Sequence, residues 1–144
     1  MDDLLAPQFV VERYFAAINE RDWAALRGLL HSDFSLQVVA MGRHDGVDAA
    51  LIYYQALLAG FSEGTDCPTR YLVSGNTVTV EIDFVGRTVE GRPVAFPAAD
   101  VFDVSDGKIM SLSIWYDSLG VARQVKGRTE RRRVAGGETA GRPT

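Results

Sequence analysis

The chain has 144 residues, the length of one domain with a single core, and its formal charge of −4 is unevenly divided: residues 127–144 hold five arginines against two glutamates, which leaves the body seven charges negative. An acidic body argues against nucleic acid as the main partner, and no apolar run approaches the roughly 20 residues of a bilayer span. The single Cys67 excludes an internal disulfide or a cysteine-based metal cluster.

The segment PQFVVERYFAAINERD opens on Pro7, and Val11, Tyr14, Phe15 and Ile18 recur at helical spacing, which predicts a first helix with one apolar face. Asp22 can cap a second helix, WAALRGLLH, whose end carries His31, and FSLQVVA reads as a short strand. The MGRHDG segment is expected to be a loop, with His44 overhanging any pocket mouth. A third helix then starts at Asp45 or Gly46, aligns Val47, Leu51, Tyr54, Leu58 and Phe61, and ends at Gly60 and the polar SEGTD stretch.

From Arg70 the period changes from 3.6 to 2. Turns at Gly75-Asn76, Glu90-Gly91 and Asp106-Gly107 divide four strands: RYLVS, TVTVEIDFVGR, RPVAFPAADVFDV and KIMSLSIWY. Pro93 and Pro97 predict an edge, a bulge or a bend in the third of these. Asp117 and Ser118 can start a last short helix, SLGVARQV. The order gives an α+β fold, three helices over one face of a curved sheet whose concave side encloses a pocket. The domain is expected over 1–126, with 127–144 a disordered basic tail. The acidic start MDDLLAPQ lacks the basic region of a secretory signal, so the cytoplasm is the expected location.

Alternation puts Thr79, Glu81 and Asp83 opposite Val78, Val80, Ile82 and Phe84, and puts Ser113, Trp115 and Asp117 opposite Leu112, Ile114 and Tyr116. Periodicity alone does not decide which face is inside. Asp117 is therefore either a helix cap in water or a carboxylate in the core. Asp100 shares a face with Val94, Phe96 and Phe102, either as a functional acid or as a structural one, and Tyr14 and Tyr54 lie on apolar helix stripes as core or pocket groups. Glu81 would be a third acid beside Asp83 and Asp117, but the three have no histidine partner and no cation-loop spacing, so no metal is expected. With no Gly-rich phosphate loop and no nucleophile elbow, no organic cofactor is expected either.

Two segments, DVFDVSDGKIMSLSIWYDSLGVARQVKG and RYFAAINERDWAALRGLL, resemble the last hairpin and the first helix pair of the nuclear transport factor 2-like superfamily. Within it they are similar to the SnoaL-like polyketide cyclases and the limonene epoxide hydrolases. The resemblance covers about residues 8–126 and implies a cone-shaped, antiparallel or mixed sheet. In the limonene-type pattern Asp83 and Asp117 match the two acids, Glu81 stands where an arginine lies, and Leu36 and Val38 replace the water-holding Tyr and Asn. In the ketosteroid isomerase pattern Tyr14 and Asp100 match the oxyanion-hole pair, and Val38 stands where the base lies.

The resemblance turns the acidic face inward, where Asp83 and Asp117 would share one proton as acid and base. The expected function is a cofactor-independent acid–base enzyme on a small hydrophobic substrate. A polyketide-type aldol cyclase of antibiotic biosynthesis comes first, with Asp117, Asp83, Asp100 and Tyr14 catalytic and Glu81, Trp115, His44, Tyr54, Val38 and Phe102 lining the site. The alternatives are an epoxide hydrolase or epoxide-opening cyclase using the same aspartates, and a ligand-binding or dimerising domain without catalysis. A homodimer is expected through the apolar faces opposite the acids.

Overall fold

The computed structural model describes residues 6–127, and the basic tail, apart from Gly127, lies outside them. Its elements run α1 Pro7–Glu20, α2 Trp23–Leu29, β1 Leu30–Val38, β2 Gly42–Asp45, α3 Val47–Leu58, β3 Phe61–Ser74, β4 Thr77–Thr88, β5 Pro93–Ser105, β6 Lys108–Tyr116 and α4 Ser118–Lys126. The strands form one mixed sheet of six in the order β2-β1-β6-β5-β4-β3, with β1 parallel to β6 and every other pair antiparallel. The sheet curls without closing, and α1, α2 and α3 fill its concave side.

Local chemistry explains the boundaries. Pro7 at the first turn of α1 costs no hydrogen bond, and Arg21 ends that helix in the left-handed region at φ 59°. Asp22 caps α2 by accepting from the Ala25 N–H at 3.0 Å. The chain leaves α2 two residues sooner than the sequence predicts, because Leu30 and His31 already belong to β1 and Leu30 pairs with Ile109. The predicted MGRHDG loop contains a strand: after a turn with Ala40 at φ 65°, Arg43 and His44 pair with Gln37 and Leu36. The polar SEGTD stretch is also strand, the first part of β3, running antiparallel to Phe84–Thr88.

The sheet buries the apolar face of β4. Val78, Val80, Ile82 and Phe84 lie under the helices, while Glu81 and Asp83 point outward. Burying each of those four side chains is worth about 1.5–3 kcal/mol, whereas an unpaired carboxylate turned inward costs several. The opposite orientation would forfeit the first and incur the second. The apolar faces expected to form a dimer interface are thus covered by the chain's own helices.

The prolines of β5 follow from where β6 stops. Tyr116 pairs with Ala98, after which the chain turns into α4, so Pro93 to Pro97 have a strand neighbour only in β4. The Ala95 N–H faces the open side and donates to the Gln124 side chain of α4 at 2.8 Å. Pro93 and Pro97 share that orientation by alternation, and their missing donors break no ladder bond.

Candidate active site

The concave side of the sheet holds a cavity of about 130 Å³ under α1 and α3, close to the ~150 Å³ apolar cavity that admits benzene. Its walls are mostly apolar: Ile18, Val38, Leu58, Ile82, Ala98 and Ile114, with an aromatic rank of Phe61, Phe84, Phe96 and Tyr116 on one side. Neighbouring ring centroids along that rank are 5.3, 5.0 and 5.5 Å apart, edge-on between Phe61 and Phe84 and closer to parallel from Phe84 through Phe96 to Tyr116. The polar groups that line the cavity are few: Tyr14, Tyr53, Tyr54, Asp66, Asp100 and Tyr116.

Asp100 is carried by the middle of β5, between Val80 and Ile114 of the adjacent strands. It is 3% exposed, and its Oδ1 is buried with no hydrogen-bond partner. Burial first, and then the nearby Asp66, holds its carboxyl well above the ordinary carboxylate range, which favours the neutral acid. A neutral buried carboxylic acid is a hydrogen-bond donor in search of an acceptor.

Tyr14 on α1 and Tyr54 on α3 both line the cavity, with hydroxyl oxygens in hydrogen-bond contact at 2.7 Å. Burial is the largest cause of a raised pKa for both, and any charge gained by Asp100 would raise each further, so both stay protonated. When Tyr54 donates to Tyr14, the Tyr14 proton is free to point at a ligand, and the chain of hydroxyls strengthens that donor. Tyr14 packs edge-on against Phe102 with centroids 5.0 Å apart, which fixes its ring.

Asp66 lies on the inner face of β3, opposite Phe84. Burial pushes its carboxyl up to about 6, against the pull of the Arg21 guanidinium. Arg21 itself is engaged with carbonyls, donating from Nη1 to Ile18 O at 2.7 Å and from Nη2 to Gly64 O at 2.9 Å.

A model of the SnoaL-like domain matches residues 11–112, well over half the chain. The chain belongs to the SnoaL-like domain family. Solved structures agree on the fold. A SnoaL-like protein from Jannaschia sp. CCS1, proposed as a polyketide cyclase, superposes with a TM-score of 0.78 at 18% identity, covering 85% of this chain and 92% of the other. IdmH from Streptomyces antibioticus, also proposed as a polyketide cyclase, gives 0.74 at 19%, covering 84% and 99%. A limonene-epoxide-hydrolase-like enzyme of M. tuberculosis gives 0.72 at 20%, covering 85% and 90%. No curated protein sequence matches this chain.

In this SnoaL-like protein the residues expected at the site divide cleanly. Tyr14, Tyr54, Val38 and Asp100 line the cavity. Phe102 lies beneath it, fully buried against Tyr14 and Phe15. His44 does not reach it; its ring lies against Tyr53 at a centroid distance of 4.4 Å, and its Nε2 is buried without a partner. The expected Asp83–Asp117 pair is absent from the interior. Asp83 is exposed beside Pro97 of β5, and Asp117 is exposed as the cap of α4, accepting from the Gly120 N–H at 3.0 Å. Their register places them on the same outer face two strands apart, roughly 10 Å, too far to share a proton. Glu81 pairs with Arg70 on that face, and Trp115 is 53% exposed with its Nε1 donating to Ser113 Oγ at 3.0 Å. All four were placed inside by resemblance, and the apolar alternation of their strands turns them out.

The sequence reading did not single out Asp66, because a polar SEGTD segment has no apolar alternation to mark a strand. The signal that finds it is the hairpin at Gly75-Asn76: a 12-residue β4 needs a partner of similar length, and folding the chain back about that turn carries β3 past Asp66 to Phe61.

Proposed function

We propose that this SnoaL-like protein is a cofactor-independent acid–base enzyme acting on a small hydrophobic carbonyl compound, an aldol cyclase of the polyketide type. One observation carries the reading: the carboxyl of Asp100, with one oxygen unpartnered, is buried in an apolar cavity that is also lined by a tyrosine hydroxyl backed by a second. With the Asp100 carboxyl held neutral by burial, Asp100 and Tyr14 are two donors lining one cavity, which suits an oxygen that gains negative charge as a carbonyl becomes an enolate. The likeness to proposed polyketide cyclases supports the class of substrate. A flexible chain held folded in the aromatic slot would gain several kcal/mol toward ring closure from proximity alone. Epoxide opening by Asp83 and Asp117 has no support, since neither faces the cavity. In this reading the protein works in the cytoplasm without nucleic acid or metal, as a homodimer through the outer sheet face that carries Leu72, Val85 and Trp115.

The test is ring closure of a linear poly-β-ketone ester, with binding of phenol as the enolate mimic. Asp100→Leu should lower turnover about 100 to 1,000-fold, as loss of one oxyanion donor does, and should weaken phenol binding. Asp83→Asn and Asp117→Asn should stay within twofold of the parent. Turnover of a terpene epoxide in place of the ketone, or full activity in Asp100→Leu, would refute the proposal.

A further inference from the structure

The oxyanion donors leave a question of chemistry unanswered: which group removes the proton. Asp100 cannot do so while it is neutral, and the tyrosines are held protonated by burial. Val38, on β1 at the cavity wall, has no acceptor. One acceptor remains among the groups lining the cavity.

We propose that Asp66 is the general base of this site, its carboxylate set on the inner face of β3 within the same cavity as Asp100 and Tyr14. The inference rests on reading that cavity as an acid–base site. Three features of the structure support it. First, the backbone of Asp66 is clamped to α1 from both sides: its N–H donates to Asn19 Oδ1 at 2.9 Å, and Asn19 Nδ2 donates to its carbonyl at 2.9 Å. Such a two-point anchor fixes the side chain's origin relative to Tyr14 on the same helix. Second, among the described residues its carboxylate accepts no hydrogen bond, so its lone pairs are not committed to the fold. Third, the cation nearest it is already spent on two backbone carbonyls, so it tempers the basicity of Asp66 without capping it.

The groups facing Asp66 come from each element around it: Tyr14 from α1 and Arg21 just past its end, Tyr54 from α3 and Asp100 from β5, while β4 presents Ile82 and Phe84. Among the described residues Arg21 is the cation that acts on it, and it lowers the carboxyl that burial raises. The balance lies at about 6, close to the value a base needs to be both ionised and effective near neutrality.

The step balances without a further reactant. A C–H bond next to the substrate carbonyl breaks, its proton goes to an Asp66 oxygen, and its electron pair forms the C=C bond of the enolate. The carbonyl π pair moves onto oxygen, where Asp100 and Tyr14 donate. The enolate carbon then attacks a second carbonyl of the same chain, and the protonated Asp66 returns its proton to the new alkoxide.

Exchange of the α-hydrogens of phenylacetone in D2O, followed by proton NMR between pH 5 and 8, reads the first step without needing the natural substrate. The parent protein should accelerate exchange, with a rate that rises to a plateau through an apparent pKa near 6. Asp66→Asn should lose at least about 100-fold and the acid limb with it; Asp66→Glu should recover part of both. Asp100→Leu should be slower but keep the limb. Asp66→Asn that folds, by its urea midpoint, and still exchanges on the same limb overturns the base assignment. So does a parent protein that binds phenol in an Asp100-dependent manner yet never exchanges phenylacetone, an outcome that spares the cavity reading. If phenol binding is also indifferent to Asp100→Leu, both readings fall.

Discussion

Asp66 makes a quantitative demand on stability that is separate from catalysis. Its carboxyl titrates at about 6 in the folded protein, against about 3.9 in an unfolded chain. Between those values the folded state holds more protons than the unfolded one, so stability falls as pH rises through the window. A difference of about 2 pH units at 1.36 kcal/mol each predicts a loss of ~3 kcal/mol, complete above about pH 7. The comparison is cleanest between Asp100→Asn and the double variant Asp100→Asn/Asp66→Asn, because Asp66 is itself one cause of the raised Asp100. Urea unfolding followed by far-UV circular dichroism at half-unit steps from pH 3.5 to 8 gives both curves. The single variant should lose ~3 kcal/mol relative to the double across that range, with the steepest change between pH 4 and 6. Parallel curves, differing only by a constant, would show that Asp66 is not desolvated and would remove the physical basis of its raised proton affinity.

Three further outcomes follow from the same geometry. Asp100→Asn keeps the shape of a neutral acid without its pH-dependent penalty, so it should unfold at higher urea than the parent at pH 7, with the gain vanishing as pH falls toward 4. Tyr14→Phe leaves the buried Tyr54 hydroxyl without its partner and should cost about 1–3 kcal/mol in urea unfolding while weakening phenol binding. Gly86 pairs with Gly64, and a Cβ on Gly86 would lie 2.6 Å from the Glu63 carbonyl and 2.9 Å from the Phe84 ring. Gly86→Ala should therefore destabilise by about 1–3 kcal/mol and disturb the aromatic wall, seen as a lower thermal midpoint and weaker phenol binding.

The sheet and helices were legible in the sequence wherever apolar residues keep a strict period, as in α1, β4 and β6. Asp100 was legible for the same reason, since it falls on the face of Phe96 and Phe102. The orientation of β4 was not settled by alternation, although burying Val78, Val80, Ile82 and Phe84 outweighs turning two acids inward. Resemblance to the epoxide hydrolases pointed the other way, and the local rule prevailed. The proximity of Asp66 to Asp100 could not be read from local pattern, because it depends on a polar segment being recruited as strand by its partner across a hairpin. The same holds for β2, a four-residue strand with no apolar alternation, which exists because β1 has a free edge beside it.

The half of β5 that outruns β6 bears on how the protein behaves at high concentration. An unpaired stretch of extended backbone is ordinarily a template on which other chains can polymerise. Here Pro93 and Pro97 leave gaps in the donor row, and the one donor between them is occupied by Gln124. The chain can thus leave that margin of β5 without a second neighbour strand and still not invite fibril growth from it.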